Sequence, residues 1–378
     1  MADLNLAREI AALFQLPAPL KDAEIYPGGH INDSYLISCA STEHPRFLLQ
    51  RLNADVFPRP DQIMENIRRV SEHVQSQSHT SAMAKSESTF LNLVVTKAGQ
   101  PYTRCDGGDV WRMYEFIEGS IMQESAASPA EARQAGLAFG EFQVLLADLP
   151  GPDLHEIIED FHDTPKRLEN LRKVVDADPL QRAEYAKREI KFALDFASNG
   201  NLIVDGMRDG TLARRTVHND AKMSNVLLDC NTGQRLCVID LDTVMPGSVL
   251  YDFGDMMRTM LCRAPEDEID LSKVKVDMDM FQALADGYLR GARAILNQAE
   301  MDMLVFSGIL ITIETGSRFL ADHLQGDHYF RTHRRNQNLD RARCQFELAR
   351  SMMAQRADME ARLAVLAAAP ATATATAE

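Results

Sequence analysis

Val217-His218-Asn219-Asp220-Ala221-Lys222-Met223-Ser224-Asn225-Val226-Leu227-Leu228 sets an Asp and an Asn five residues apart, between short apolar runs. That arrangement suits phosphoryl transfer. The Asp220 carboxylate can accept the proton of a substrate hydroxyl and orient its oxygen. The amide oxygen of Asn225 can hold a magnesium ion on the phosphates. A second acidic ligand is expected on a later strand. Val238-Ile239-Asp240-Leu241-Asp242 supplies it, ending an apolar run in Asp240 twenty residues after Asp220. Magnesium keeps several waters and needs only one or two carboxylates besides phosphate oxygens. Asn225 and Asp240 therefore suffice, with Asp242 as a second-metal ligand or a support for the first. Asp-x4-Asn alone arises often by chance, whereas its combination with an acid at a strand end is much rarer. His218 reads as a core histidine that orients the loop rather than as another base.

Working outward, the pattern divides. Residues 3–14 read as a short amphipathic helix ended by Pro17. Residues 35–38, 47–52, 91–96 and 110–116 read as strands. Residues 60–75 have helical spacing, with Ile63, Ile67 and Val70 on one face. The serine-rich stretch 76–88 reads as an exposed loop. After Gly119 the spacing becomes helical, over 130–146, 181–198 and from 278 onward. Residues 216–217, 226–228 and 236–239 read as short strands inside that half. Leu339, Ala342, Phe346, Ala349 and Met353 recur at helical spacing behind Asn338, which reads as an N-cap. The expected class is α+β: a small β-rich lobe over 1–118, a larger helical lobe over 119–366, and a low-complexity Ala/Thr tail over 367–378 that reads as disordered.

Composition narrows the function classes. Over 378 residues the chain is 45% hydrophobic and 25% charged, which is ordinary for a globular protein. Its formal net charge of -15 disfavours nucleic acid and anionic membrane, because Lys and Arg supply most of that affinity. The one basic cluster, Arg331, His333, Arg334 and Arg335, reads as a solvated face or a contact for a small anion. The first twenty residues lack the basic start and long apolar core of a secretory leader. The longest apolar run, 303–313, is broken by Ser307, Gly308 and Thr312 and reads as a buried helix. A cytoplasmic enzyme is expected. None of the six cysteines forms a C-x-x-C pair, so they read as reduced, and a structural zinc site is not expected.

The pattern H-N-D-x-K-x-x-N, then V-I-D-L-D-T and Tyr251-Asp252-Phe253-Gly254-Asp255, resembles the aminoglycoside phosphotransferase and choline kinase superfamily. Within it, the chain is most similar to the N-acetylhexosamine 1-kinases. Gly29-His30-Ile31-Asn32-Asp33-Ser34-Tyr35, Phe47-Leu48-Leu49-Gln50-Arg51, Val244-Met245-Pro246-Gly247 and the stretch 318–330 carry that likeness. The landmarks run from about residue 26 to 346. The resemblance implies a protein-kinase-like bilobal fold, ATP and Mg2+ as cofactors, and a small-molecule sugar acceptor. It implies Asp220 as catalytic base, Asn225 and Asp240 as metal ligands, and Asp255 as an acid bracing the loop. Gly28, Gly29, His30 and Asn32 would form the turn over the phosphates. Glu115 and Ile117 would read the adenine edge from an inter-lobe hinge, with Met113 and Phe116 as walls or plain core. Arg318 would reach a sugar hydroxyl or the N-acetyl carbonyl at the acceptor, with Asp33, His30 and Tyr329 beside Asp220; read as a helix residue alone, Arg318 is equally a surface ion pair with Glu314 one turn earlier.

One position departs from the kinase pattern. A strand lysine usually meets the α- and β-phosphates, but residues 47–51 contain none. Gln50 or Arg51 is left for that role, and strand alternation lets only one of them share a face with Leu49. Glu65 stands as the helix partner or as an ordinary solvated glutamate. Acceptors other than a sugar stay open, among them an amino alcohol, homoserine or an aminoglycoside. A nucleotide-binding pseudokinase also stays open.

Overall fold

The computed structural model describes residues 3–27, 32–41, 43–54, 56–78 and 90–369. The chain folds into a β-sheet N-lobe and a helical C-lobe. Two compact units divide it. One comprises residues 1–122, 148–159 and 227–245, and the other comprises 123–147, 160–226 and 246–378.

In the sheet unit, α1 (Leu4–Ala11) starts at Asp3, whose carboxylate accepts the Asn5 and Leu6 amides at 3.0 and 3.1 Å. This cap satisfies donors that the first turn leaves open. Strands β1 (Leu20–Ile25), β2 (Asp33–Cys39), β3 (Phe47–Arg51), β4 (Leu93–Val94), β5 (Thr103–Arg104) and β6 (Val110–Glu115) form one antiparallel sheet. Its order is β1-β2-β3-β6-β4, with β5 also on β6. Alternation sends Tyr35, Ile37, Phe47, Leu49, Trp111 and Met113 into one core with Ala7, Ile10 and Phe14. Met113 is therefore plain core. The intervening residues Ser34, Gln50 and Arg112 share the opposite face.

Helix α2 (Pro60–Ser78) buries Ile63, Ile67 and Val70. It runs past the expected end to Ser78, with the Ser76 hydroxyl satisfied on the His73 carbonyl at 2.7 Å. Residues 79–89, which include most of the expected loop, and residues 370–378 of the expected tail lie outside the described residues. A second sheet joins β7 (Ser120–Ile121), β9 (Val226–Asp229) and β10 (Arg235–Val238), and β8 (Arg215–Val217) pairs with β11 (Met245–Gly247).

The helical unit holds α3 (Pro129–Leu145), α4 (Thr164–Ala177), α5 (Lys187–Asp195), α6 (Ala197–Gly200), α7 (Leu202–Asp209), α8 (Val249–Met260), α9 (Met278–Ala292), α10 (Gln298–Gln325) and α11 (Gln337–Ala368). The single helix expected over 181–198 is instead a 3-10 turn at Ala183–Ala186, then α5 and the start of α6, with Phe196 between the two helices. Helices α3 and α9 touch backbone to backbone. A Cβ at Gly287 would lie 2.1 Å from the Arg133 carbonyl oxygen, so only glycine fits.

Helix α10 opens with a reciprocal cap between Asn297 and Glu300. Its length and apolar composition would allow it to cross a membrane, yet 89% of its most apolar window is buried within the protein. It serves as the core helix of its unit, containing the apolar run 303–313. The expected cap of α11 moves. Asn336 precedes the helix in the left-handed region (φ 61°), and Asn338 is buried within the first turn. Its amide donates to Asp322 and Asp327 at 2.9 and 3.0 Å, a partnership sequence spacing does not reveal. The six cysteines are free thiols; Cys39, Cys237 and Cys344 are buried and Cys230 is exposed.

Candidate active site

The segment 218–225 is held from behind by buried polar groups of the helical unit. Asp252 on α8 accepts the His218 and Asn219 amides at 3.0 and 2.7 Å. Gln143 donates to the same carboxylate at 2.8 Å and is itself fixed by the Tyr288 hydroxyl at 2.7 Å. Burial pushes the Asp252 carboxyl up, against the opposing pull of His218, Gln143 and the two amides. The loop brace expected at Asp255 is therefore Asp252. Asp255 lies one turn further along α8 and pairs with Arg258 at 2.7 Å. His218 is a core residue, its ring edge-on to Phe139 and Phe142, with Nδ1 accepting the Asp220 amide at 3.3 Å.

Asn219 adopts φ 64°, a left-handed conformation that Asn tolerates better than most residues. Gly247, the last residue of β11, faces it. A Cβ there would lie 2.8 Å from Val217 Cγ2 and 2.9 Å from Asn219 Oδ1. The glycine is thus required by close approach to the loop.

These constraints present Asp220 with 27% of its side chain exposed. Lys222 donates to its Oδ2 at 2.7 Å, and the Asn225 amide donates to the same oxygen at 3.1 Å and to the Asp220 carbonyl at 2.8 Å. Burial alone would raise the carboxyl, but Lys222, His218 and Arg258 hold it below its ordinary value, so it is ionised at neutral pH. With Asn225 Nδ2 turned onto Asp220, its Oδ1 is left as an oxygen donor of the kind magnesium takes.

His162 ties this loop to α10. Its Nε2 lies 3.0 Å from the Asn219 carbonyl oxygen, and its Nδ1 lies 2.8 Å from Glu314 Oε1. Thr164 donates to the other Glu314 oxygen at 2.5 Å. Both ring nitrogens face acceptors, so both donate when the ring is protonated, and the imidazolium faces the Glu314 carboxylate. Burial lowers His162, but Glu314 overcomes it and leaves the imidazole above its ordinary value; Glu314 in turn is held below its own.

Arg318, one turn on from Glu314, does not pair with it. Its guanidinium packs over Phe161, Phe330 and Tyr329 at 5.2, 5.5 and 5.9 Å. The stretch 318–330 is built for this. Asp322 is buried and accepts three successive amides, from His328, Tyr329 and Phe330, at 2.8–2.9 Å. Arg167 bonds the Phe161 carbonyl at 3.0 Å. Burial and the positive charge of Arg318 pull Arg167 below its ordinary value. Arg318 and Tyr329 are thus brought together.

In the sheet unit, Asp240 follows β10 in the left-handed region, with φ 60° and ψ 59°. Such a conformation costs a non-glycine residue about 1–3 kcal/mol and recurs at functional sites. Asp242 next to it is buried and bidentate to Arg112, with Nη2 to Oδ2 at 3.0 Å. Asn32 donates to the same Oδ2 at 2.8 Å. Both Asp242 oxygens are engaged, which favours the supporting reading over a second-metal one. Gln50 shares the Arg112 face, whereas Arg51 points to Asp33 and Asp109, with Nε to Asp33 at 3.0 Å and Nη1 to Asp109 at 3.2 Å.

Glu115 ends β6 with its amide on the Asn92 carbonyl at 3.0 Å, and Ile117 accepts the Ser120 hydroxyl at 2.6 Å. Phe116 packs edge-on to Tyr26. Glu65 pairs with Arg68 at 2.9 Å, an ordinary helix-surface pair. Its neighbour Asn66 is a buried polar residue of α2, donating to the His155 and Val244 carbonyls. Gly28, Gly29 and His30 lie outside the described residues. Arg334 of the basic cluster pairs with Asp267 and Asp340.

Sequence reading gave no role to Lys222, Asp252, His162 and Arg112, and set Glu314 against Arg318 rather than His162. Lys222 lay inside the quoted motif and was legible by its two-residue spacing from Asp220; the others depend on tertiary placement.

Comparison with known proteins agrees with this picture. The profile of the phosphotransferase enzyme family matches residues 22–292. An aminopropanol kinase associated with a microcompartment superposes with TM-score 0.57 at 16% identity, covering 96% of this chain and 100% of that one. An aminoglycoside phosphotransferase from Alicyclobacillus acidocaldarius gives 0.56 at 15%, covering 95% and 94%. A choline kinase from Cryptosporidium parvum gives 0.58 at 12%, covering 94% and 97%. At these identities the likeness is one of fold.

Proposed function

The chain belongs to the phosphotransferase enzyme family, and on that premise we propose that it is an ATP-dependent kinase acting on the anomeric hydroxyl of an N-acetylhexosamine. One observation carries the chemistry: a part-exposed, ionised Asp220 held by Lys222 and Asn225. Asp220 would orient the acceptor hydroxyl and take its proton as the sugar oxygen bonds the γ-phosphorus. The bond from that phosphorus to the bridging oxygen breaks, and ADP leaves. Lys222 would offset charge developing on the transferred group.

Asn225 and Asp240 offer hard oxygen donors and are the residues that would hold magnesium. The ion would neutralise charge on the β- and γ-phosphate oxygens. Glu115 and Ile117 would serve the adenine edge by their backbone groups. Asn32 and one of Gln50 and Arg51, with Gly28, Gly29 and His30, would lie toward the phosphates.

The acceptor assignment rests on Arg318. A guanidinium set on aromatic faces, beside Tyr329 and a second guanidinium at Arg167, offers donors for a carbonyl or hydroxyl and apolar surface for a sugar ring. It would repel a quaternary ammonium or a polyamine. Asp33 would contribute an acceptor for a sugar hydroxyl. The fold neighbours named for aminopropanol, choline and aminoglycosides act on cationic acceptors, so those compounds are the necessary controls. A cytoplasmic location fits a substrate pair of ATP and a free sugar.

ADP release with Mg2+ tests this across GlcNAc, GalNAc, mannose derivatives, choline, an aminopropanol, homoserine and kanamycin. Turnover confined to N-acetylhexosamines is the expected result. Selective turnover of a cationic acceptor would keep the kinase and discard the sugar. Turnover of none, with nucleotide still bound, would leave a pseudokinase.

A further inference from the structure

Strand β3 lacks the lysine that this kind of fold sets beside its nucleotide, yet the face that such a lysine would occupy is not without a cation. Ser34 on β2 pairs across the sheet with Gln50 on β3, and Gln50 pairs with Arg112 on β6. The three side chains form one row. Gln50 Nε2 donates to Ser34 Oγ at 3.1 Å, and Gln50 Oε1 accepts from Arg112 Nε at 3.1 Å. Both ends of the amide are used, which aims the remaining guanidinium nitrogens at Asp242. Asn32 closes the far side, donating to Asp242 and accepting the Asn53 amide at 3.0 Å.

Arg112 and Asp242 are exposed by only 1% and 2%. The Tyr114 ring lies 5.2 Å from the guanidinium, and its buried hydroxyl has no partner among the described residues. A buried ion pair is a poor device for stability alone, since apolar residues of similar volume often serve as well. Here the pair adjoins the strained Asp240 turn, and the fixed charge gives it a task.

We propose that Arg112 is the strand cation relocated from β3 to β6: a positioning residue that clamps Asp242 and so holds Asp240 in its left-handed turn. The proposal rests on the kinase reading above. It assigns Gln50 a definite part, as the neutral spacer that a second cation could not replace while Arg112 is present. Residues opposite each other across a sheet stand about 5 Å apart at Cβ. The lysine introduced by Q50K would therefore clash electrostatically with Arg112, but would reach toward Asp242 once Arg112 is gone.

The test uses Q50K, R112M and Q50K/R112M in the full chain. It reads the melting temperature without ligand, its shift with Mg·ADP, and the KM for Mg·ATP. Each single substitution is expected to lower the ligand-free melting temperature and to shrink the Mg·ADP shift. R112M should raise the KM for Mg·ATP by about tenfold or more, because the buried Asp242 charge loses its counter-charge and keeps only the Asn32 amide. The double substitution is expected to exceed both singles in melting temperature and Mg·ADP shift, and to recover most of the KM. A double variant no better than the poorer single, or an R112M protein with unchanged nucleotide parameters, would overturn the relocation. If R112M does not fold, folding of the double variant is the rescue itself, and failure of both to fold counts against the proposal. Absence of any Mg·ADP shift in the wild type would instead overturn the kinase reading, and the ligand-free melting temperatures would still decide whether Q50K offsets the loss of Arg112.

Discussion

Lys222 holds its ammonium 2.7 Å from the Asp220 carboxylate, two residues away in sequence. With His218 and Arg258, the contact holds the carboxyl below its ordinary value, and in the proposed reaction it would set a cation where a transferred phosphoryl group gathers charge. Replacing Asp220 by Asn should lower kcat by about 10²–10⁴-fold, the usual contribution of a general base. Lys222→Met should lower kcat by about 10²-fold through lost charge stabilisation, with little change in acceptor KM. Steady-state kinetics on the two variants check both values, and an unchanged kcat in either removes that residue from the chemistry.

Asp252, rather than Asp255, anchors the loop amides. Asp252→Asn keeps one acceptor oxygen and loses the charge, a cost of about 1.5–3 kcal/mol for hydrogen bonds to a charged group. Hydrogen exchange at His218 and Asn219 should speed up, and kcat should fall while the helices stay protected. Asp255→Asn should leave those two amides unchanged.

The buried pair of His162 and Glu314 gives a pH signature. His162 lies above its ordinary value of 6.5, so its contribution is complete below 6.5 and is lost as pH rises through the folded value. Glu314 lies below its ordinary value of 4.5, so its contribution is complete above 4.5 and is lost as pH falls through the folded value. Their joint effect is therefore fullest between these two ordinary values. Thr164, Asn219, Tyr251, Asp255 and Arg318 are the groups that face the pair or act on its charge. Glu314→Leu should cost about 3–5 kcal/mol in urea unfolding near pH 6, with the gap to wild type narrowing at alkaline pH. A gap that is the same at pH 6 and pH 10 would contradict the assignment.

Arg318 should govern the acceptor alone. Arg318→Met removes donors while keeping an apolar stem against Phe161, Tyr329 and Phe330. Loss of charge-assisted hydrogen bonds worth about 1.5–3 kcal/mol corresponds to a roughly 10- to 100-fold rise in acceptor KM. The KM for Mg·ATP should not move. A parallel rise in both constants would make Arg318 a structural residue.

Much of this was legible in the sequence where chemistry and spacing are local. The loop 218–225, the acid after β10, the apolar faces of β3 and α2 and the long helices all carry their own periodicity. The brace was misplaced by one helical turn because Asp252 and Asp255 look alike in the motif; only the loop's approach to α8 separates them. Asn338 read as a cap for the same reason, since its true partners Asp322 and Asp327 lie outside its own helix. Arg112 was silent because a strand arginine next to apolar residues gives no sign of its partner 130 positions away. The break at Phe196 in the helix expected over 181–198 gave no such sign, because apolar spacing runs through it without a Gly or Pro.

The most direct measurement is phosphorus NMR of the product formed from Mg·ATP and an N-acetylhexosamine, run with wild-type protein and with Asp220→Asn. A sugar 1-phosphate whose signal splits with the anomeric proton, formed by the wild type and not by the variant, is the predicted result. Phosphate on any other oxygen, or equal product from both proteins, would contradict the proposed reaction.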